Sequence, residues 1–422
     1  AVANVPGAIA TIKGGTYSSD NWYAIKNLGT MEIDGAVTVQ KADGNTNTAS
    51  LIDNGWYGNQ ANDTLGGTHY PATAGGSAKL TIKSGDFTGK SGAKSCSVVK
   101  NDDYGVLEIS GGTFDSTNNT GTSDAATLLN YGTADISGGT FTGQYPISNG
   151  GYGNASDPCV INVSGGTFIS KGGSITGSGG GAGGGTSALN ITGGTFEGGI
   201  YKTDAYAINI SGGKFKDATG NAEGITRADG KVLVKDTDGY YTLQGAVAQN
   251  TATGEYYTTL GAAVAATTAG NTITMVADSN EGAFTISRNV TIDLNGKTVT
   301  EIGVITISAG TTTVKDSSDP STGKIVLTQS DGDHVVDVIN SGTKFVLDGG
   351  TLYSSVNTIL AVHDSAEATI NGGAIDAANP NGSVAAYAYG GGKVTVTGGT
   401  LHAYKDGALT ASTNGALDIG QA

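Results

Sequence analysis

Hydrophobic and polar residues alternate in short segments along most of the chain, and one eight-residue segment recurs. It reads LEISGGTF at Leu107–Phe114, and close copies begin at Ala134, Ile161 and Leu189. Alternation with a period of two predicts a β-strand with one buried face, and the Gly-Gly pair predicts a bend after it. Measured at the central aliphatic residue, the copies lie at positions 82, 109, 136, 163 and 191, in steps of 27, 27, 27 and 28. Such a fixed period predicts stacked repeats.

Two residue types recur at fixed places in the repeat and predict stacked columns. Neighbouring strands lie about 4.8 Å apart, so like residues at like positions should contact each other. Inward aromatic residues form one column, which contains Tyr17, Phe87, Phe114, Phe141, Phe168, Phe196 and Phe215. Asparagine can bond neighbouring backbone or adopt the left-handed conformation, which predicts a stacked turn after a short apolar strand. This second column contains Asn27, Asn54, Asn101, Asn130 and Asn149.

The repeat predicts an all-β chain. Two strands and two turns in each coil of roughly 27 residues are typical of a parallel β-helix, and the handedness of parallel crossovers favours a right-handed one. We expect two stacked or linked β-helical segments, 1–247 and 248–422. An insertion at 55–79 interrupts the first segment, and short antiparallel strands with Asp-Gly turns at 225–243 close it.

The second segment is predicted to open with a short helix near 258–267, with Leu260, Ala263 and Val264 on one face. Laid over the end of a β-helix, this helix would cover unpaired strand edges. Later repeats place Leu352, Ile375 and Leu401 where the first segment has aromatic residues, which predicts a slimmer coil. Both chain ends fall within a repeat, so we expect a mature or excised piece of a longer protein whose terminal coils could stack head to tail into a filament.

Composition narrows the range of partners. The chain carries 22 Lys and Arg against 37 Asp and Glu, a net charge of −15, which opposes binding to nucleic acid or anionic membranes. Arg227 and Arg288 are the only arginines, so bidentate capture of phosphate is nearly unattainable. No apolar run approaches the ~20 residues of a membrane span, so we expect no membrane insertion. Cys96 and Cys159 occupy different offsets in coils too far apart for a disulfide, which predicts two buried thiols.

The Ile-Ser-Gly-Gly-Thr-Phe repeats resemble those of right-handed parallel β-helix (pectate-lyase-like) proteins of the bacterial cell surface, adhesin-like proteins among them. The stretch from Asp238 to Thr298 is similar to the module opening in such proteins from anaerobic gut bacteria. The resemblance implies a fold more than an activity, because such repeats also occur in phage appendages and polysaccharide-degrading enzymes. We therefore expect an extracellular, non-catalytic β-solenoid that is a rigid structural or adhesin-like module. Its expected partners are a glycan, a host or bacterial surface protein, or further copies of the chain; a phage appendage protein is an alternative.

A polysaccharide lyase or glycoside hydrolase is the enzymatic alternative. A glycosidase needs two carboxylates on one face, and Glu108 and Asp135 are stacked neighbours in one outward column, which makes them weak catalytic candidates. A lyase needs a basic residue to abstract a proton and a Ca²⁺ ion bound by clustered carboxylates. Only the Asp-rich turns could supply such a Ca²⁺ site. Those turns contain Asp102, Asp103, Asp236, Asp238, Asp331, Asp333 and Asp337. The four histidines, at positions 69, 334, 363 and 402, show no spacing typical of a metal site, so no metal site is predicted.

Aromatic residues in and near the insertion are the stronger binding candidates, because exposed aromatic rings stack on sugars and contact protein partners. They are Trp22, Tyr23, Trp56, Tyr57, His69 and Tyr70. Both tryptophans of the chain are thereby predicted to lie in one corner. The alternative is that the insertion folds back and buries these rings against the flank of the solenoid.

Overall fold

The protein is nearly all β. The computed structural model describes residues 2–42, 47–56, 62–65, 67–71, 77–89, 97–117, 126–150, 159–178, 187–201, 206–217, 225–228, 230–301, 303–328, 334–356, 358–380, 384–404 and 407–420. It divides into two compact units, Ala1–Asp229 with Leu233–Leu243, and Gly230–Val232 with Gln244–Ala422. None of these residues forms a helix long and apolar enough to cross a membrane.

Strands of successive coils pair in parallel in the first unit, and most coils contribute three strands rather than the two predicted. The Gly-Gly bend separates the strand that ends at Ile109 from the one that contains Phe114. Ladder 1 contains Val2–Asn4, Ile25–Asn27, Ile52–Asn54, Val99–Asn101, Leu128–Asn130, Ile147–Asn149 and Thr176–Ser178. Ladder 2 contains Ile9–Ser19, Thr30–Lys41, Ala78–Ile82, Gly105–Ile109, Thr133–Ile136, Val160–Val163, Ala188–Ile191, Ala207–Ile210 and Ile225–Arg227. Ladder 3 shares the first two of these strands and continues with Asp86–Thr88, Thr113–Asp115, Thr140–Gly143, Thr167–Ser174, Thr195–Gly199, Lys214–Phe215 and Tyr241–Gly245.

The predicted phenylalanine column is confirmed. From Phe87 to Phe215 all six rings are fully buried, with consecutive ring centroids 4.6–5.1 Å apart and ring planes within 6–10° of parallel. Tyr17 belongs to the same column, but Val39 separates it from Phe87. Each coil therefore adds one ring to a continuous aromatic core.

The predicted asparagine column is also confirmed, but its backbone differs from the expectation. Each side-chain amide donates to the Oδ1 atom of the next asparagine at 2.7–2.8 Å, from Asn4 to Asn149. These asparagines are the last residues of ladder 1 strands and do not adopt the left-handed conformation. In a neighbouring turn, Tyr104 adopts that conformation, with φ 58°. The chain of buried amides thus satisfies the carbonyl groups of the turns beside it.

Replacing Asn101 by alanine is expected to lower the free energy of unfolding by about 3 kcal/mol, because it leaves several buried partners without a hydrogen bond. Asn101 accepts from Asn54 and donates to Asn130 Oδ1 and to the carbonyl groups of Gly105 and Thr133. Urea unfolding measures the effect. Asn209→Ala, on the half-buried outer face, is the control, and an equal loss in the two variants would contradict a special role of the buried column.

The end of the first unit corrects one expectation. Ile225–Arg227 was predicted to be antiparallel, but it pairs in parallel with Ile208–Ile210 and extends ladder 2. Antiparallel pairing begins later, where Tyr241–Gly245 pairs with Lys214–Phe215. A turn in which Asp236 N donates to Tyr240 O joins Lys231–Lys235 to that strand.

The second unit also contains three ladders. Ladder 4 contains Ala248–Asn250 with Tyr256–Tyr257, and then Thr272–Met275, Val290–Asp293, Thr311–Lys315, Lys344–Leu347, Glu367–Ile370, Lys393–Val396 and Ala416–Ile419. Ladder 5 contains Ser279–Glu281, Thr298–Glu301, Lys324–Leu327, Thr351–Ser354, Ala374–Ala377 and Thr400–Ala403. Ladder 6 contains Phe284–Ile286, Ile305–Ile307, His334–Val338, Thr358–Val362, Ala386–Ala388 and Leu409–Ala411.

One helix occurs in the described part of the chain, and it is shorter than predicted. It spans Leu260–Ala266, because Thr259 is its N-cap and accepts from Ala262 N at 3.0 Å. Leu260, Ala263 and Val264 are buried in the core of the second unit, as their common face predicts. The helix thus packs on the first strands of that unit.

Candidate functional site

The insertion folds back on the first unit and buries its tryptophan. Asn62–Leu65 and Thr68–Pro71 form an antiparallel hairpin. Trp56 is only 2% exposed, and its Nε1 atom donates to Tyr70 O at 3.0 Å. Tyr70 itself is half-buried. Trp56 therefore supports the hairpin and is not available for stacking on a ligand.

Trp22 is exposed, with 62% of its surface accessible. Its ring lies 6.2 Å from the half-buried ring of Tyr23. Trp22 precedes Ile25–Asn27 and Trp56 follows Ile52–Asn54, so the two indoles lie beyond opposite ends of paired strands, not in one corner.

His69 and Tyr57 complete the set. His69 is exposed, and its Nδ1 atom lies 3.0 Å from Thr64 Oγ1. Tyr57 lies outside the described residues. Among the members that the structure describes, Trp22, His69 and part of Tyr23 are therefore open to a ligand.

The two candidate catalytic carboxylates are engaged with different neighbours. Glu108 forms an ion pair with Lys79 at 2.7 Å and accepts from Thr81 at 3.1 Å. Asp135 accepts from Asn162, in the next coil, at 2.8 Å. The hydrogen bond from Lys79 lowers the pKa of Glu108, whereas a glycosidase acid needs a raised one. Glu108 is therefore not tuned for the acid role.

The Asp-rich turns hold their carboxylates in protein contacts. Asp102 is 2.7 Å from Lys100, Asp238 is 2.9 Å from Lys214, and Asp337 is 3.0 Å from His363. Asp331 and Asp333 lie outside the described residues. Among the residues that are described, no group of three or more His, Cys, Asp or Glu side chains is arranged to hold a metal ion.

A histidine of the second unit has a more specific environment than the sequence suggests. His363 is half-buried between Asp337 and Asp364, with nitrogen–oxygen distances of 3.0 and 3.1 Å. Its ring stacks on Tyr389 at 4.5 Å, and that tyrosine stacks on Tyr387. The two carboxylates orient the imidazole.

The most unusual site is a column of buried charges on ladder 1 that the sequence did not reveal. Lys26, Asp53 and Lys100 are successive register partners at the middle of their strands. Alternation along the strands points these side chains away from the aliphatic core and predicts that they are exposed to solvent. Their exposed fractions are nevertheless only 3%, 0% and 7%. Lys26 Nζ lies 2.8 Å from both Asp53 Oδ1 and Gly55 O. Asp102, which is fully buried, adds a fourth charge to this column.

Burial governs the electrostatics of this column. It raises the pKa of Asp53 to about 6; Lys26 and Lys100 oppose the rise and the charge of Asp102 adds to it. The Lys26 and Lys100 ammonium groups lie 5.3 and 5.2 Å from the rings of Tyr23 and Tyr131. Aromatic faces compensate only part of the loss of water around the cations.

A second pair of buried ionisable groups lies in the second unit. Glu281 and Glu301 are register partners, and Glu301 is completely buried, with no hydrogen bond to either carboxyl oxygen from the residues described. Glu281 accepts from the N–H groups of Leu260 and Gly261 at the start of the helix, at 2.6 and 3.3 Å. Burial and then the charge of Glu281 raise the pKa of Glu301 to about 9. Glu301 is therefore neutral at pH 7.

Comparisons of the chain with protein-family models, with curated proteins and with solved structures return no match. The functional proposal therefore rests on four features of the structure. They are two units of parallel ladders, an outer face on which charged residues pair with each other, one exposed tryptophan and one buried charged column.

Proposed function

We propose that each unit is a right-handed parallel β-helix. Apart from the antiparallel pairings of Tyr241–Gly245 and of Ala248–Asn250, successive strands of each ladder are parallel. In the first unit the register step between most coils equals one sequence repeat, as in Phe114 with Phe141. A chain that returns to the same column after each coil must wind in one direction. Right-handed crossovers are strongly preferred between parallel strands.

We propose further that the protein is a rigid, non-catalytic structural module of the bacterial cell surface. The observation that carries this proposal is the unbroken stacking of buried side chains, rings in one column and amides in another, through successive coils of the first unit. Each coil is stabilised by both neighbours, which makes a solenoid resist bending and local unfolding. An extracellular location follows from the resemblance to surface repeats.

Pulling the full chain in an optical trap tests the rigidity. A solenoid of this kind is expected to stay folded as load rises and then to extend in cooperative steps. One coil of roughly 27 residues would release about 90 Å. Gradual extension at low load, without steps, would contradict a mechanical role.

Assays of reducing ends and of unsaturated uronates across a polysaccharide panel test the non-catalytic part. No turnover is expected, since Glu108 stays ionised and Asp135 is bonded to Asn162. Turnover by the wild type that disappears in Glu108→Gln or Asp135→Asn would establish the lyase or glycosidase alternative in place of a structural module.

A carbohydrate contact at Trp22 is a second candidate function, supported by its 62% exposure beside Tyr23. A flat exposed indole can stack on the apolar face of a sugar ring. On a glycan array, Trp22→Ala is expected to abolish any binding that the wild type shows. Tyr201→Ala, another aromatic residue with 58% exposure, is the matched control. Equal binding by the wild type and Trp22→Ala would exclude this surface.

A further inference from the structure

A buried lysine and a buried aspartate meet directly across ladder 1. Lys26 and Asp53 are register partners on neighbouring parallel strands, and their side chains are 3% and 0% exposed. Lys26 Nζ lies 2.8 Å from Asp53 Oδ1. Asp53 Oδ2 has no hydrogen bond from any residue that the structure describes. The amine nitrogen is thus held against a carboxyl group from which water is excluded.

We propose that Lys26 and Asp53 are joined by an intramolecular amide bond that forms once the chain has folded. A proton first passes from the Lys26 ammonium to the Asp53 carboxylate within the ion pair. The neutral Nζ atom then attacks Cγ, and the bond from Cγ to the protonated carboxyl oxygen breaks. That hydroxyl group leaves as water together with one of the two amine protons. The new bond joins Nζ to Cγ. No oxidation state changes, and no co-reactant is needed.

The burial of the pair favours each stage of this reaction. A dry site penalises both charged forms, so transfer of the proton to give a neutral amine and a neutral acid is easier than in water. The raised pKa of Asp53, caused chiefly by burial and reinforced by Asp102, acts in the same direction. The amide product carries no charge and therefore removes the desolvation penalty altogether.

Fixed geometry supplies the remaining driving force. Groups held in reacting position behave as if at effective concentrations of ~10⁵ M or more, which offsets the tendency of water to hydrolyse the bond. Register on paired strands holds Lys26 and Asp53 in this way.

Other ion pairs of the same unit show why this one is distinct. Lys83 lies 2.7 Å from Glu32, and Lys79 lies 2.7 Å from Glu108, but all four side chains are 39–45% exposed. Water keeps both partners charged there, so the amine is not nucleophilic and no bond is expected. Proximity alone is therefore insufficient, and burial excludes the exposed pairs. Lys100 and Asp102 are also buried, 2.7 Å apart, but they lie two residues apart in the sequence and are not register partners on paired strands, as Lys26 and Asp53 are.

The intact mass of the reduced, denatured full-length chain tests the proposal directly. The expected mass is that of the sequence less one water molecule. A tryptic digest should contain a branched peptide that joins Lys26 to Asp53, because trypsin does not cleave after an amide-linked lysine. A wild-type mass equal to that of the sequence would overturn the proposal, whatever the mechanical role of the protein.

Two lysine variants test the assignment. Lys26→Arg keeps the positive charge and the hydrogen-bond donors but lacks a nucleophilic amine, so it should show the full sequence mass. Lys100→Arg, in the neighbouring buried pair with Asp102, should keep the deficit. A deficit that persists in Lys26→Arg, or that disappears in a folded Lys100→Arg, would overturn the assignment to Lys26 and Asp53.

Discussion

Phe141→Ala is expected to lower the free energy of unfolding of the first unit by about 4 kcal/mol, the typical cost of emptying a fully buried aromatic site. Phe141 stacks on Phe114 at 4.6 Å and on Phe168 at 4.9 Å, so the substitution removes two ring contacts and leaves a cavity between coils. Urea unfolding followed by tryptophan fluorescence measures it, because both tryptophans, Trp22 and Trp56, lie in this unit.

Two controls separate stacking from general loss of side-chain volume. Phe141→Leu keeps most of the apolar volume but no ring. Its free energy of unfolding should lie between those of the wild type and the alanine variant. Tyr201→Ala removes a ring that is 58% exposed and should change stability by no more than ~0.5 kcal/mol. Similar losses at Phe141 and Tyr201 would contradict the buried column.

Stability of the second unit is expected to fall as pH rises from 5 to 8.5, and Glu301→Gln is expected to remove most of that fall. Burial raises the pKa of Glu301 from its ordinary 4.5 to about 9, so the native state keeps a proton that the unfolded chain releases. The native state therefore binds more protons across this window, and the free energy of unfolding decreases with increasing pH. The expected loss for the wild type is on the order of 3 kcal/mol.

Thermal unfolding of the wild type and of Glu301→Gln at pH 5 and pH 8.5, followed by circular dichroism, measures how much of the fall in stability depends on Glu301. Glu367→Gln is the matched control, because Glu367 is 52% exposed and pairs with Lys344 on the surface. The control should behave as the wild type does. A wild type whose melting temperature does not fall between the two pH values would show that Glu301 is not held neutral.

The repeat itself is the part of the fold that the sequence predicts best. Phe114, Phe141 and Phe168 recur at a constant interval, and only stacking in register gives six identical large side chains the same environment. Asn4 also belongs to the amide column and was missed by the sequence pattern. The count of two strands in each coil was too low, because the two strands that flank the Gly-Gly bend and the short apolar strand before the asparagine make three.

The buried charges could not be predicted, because burial on the outer side of a strand depends on what covers it. Lys26 lies between Ile25 and Asn27, and Asp53 between Ile52 and Asn54, so both occupy the outward position of their strands. Local alternation identifies the inner face and says nothing of packing over the outer one. One signal was present: the two residues lie 27 positions apart, a full repeat, which places opposite charges in register.

The fate of the aromatic candidates follows from the same limit. An insertion rich in aromatic residues is equally compatible with a ligand surface and with packing against its own scaffold. The hydrogen bond from the Trp56 indole Nε1 to Tyr70 O decides for packing. Trp22 precedes a regular strand rather than lying in the insertion, and it remains exposed.

Ring-to-ring nuclear Overhauser effects in protein labelled only at phenylalanine test the stacking of like residues most directly. The chain has eight phenylalanines, and six of them form the column. The expected result is one continuous series of contacts from Phe87 through Phe114, Phe141, Phe168 and Phe196 to Phe215, with Phe284 and Phe345 outside it. The stacked solenoid would be contradicted if the rings of Phe114, Phe141 and Phe168 showed no mutual contacts. Strong broadening of their signals by a paramagnetic probe in the solvent would contradict it too.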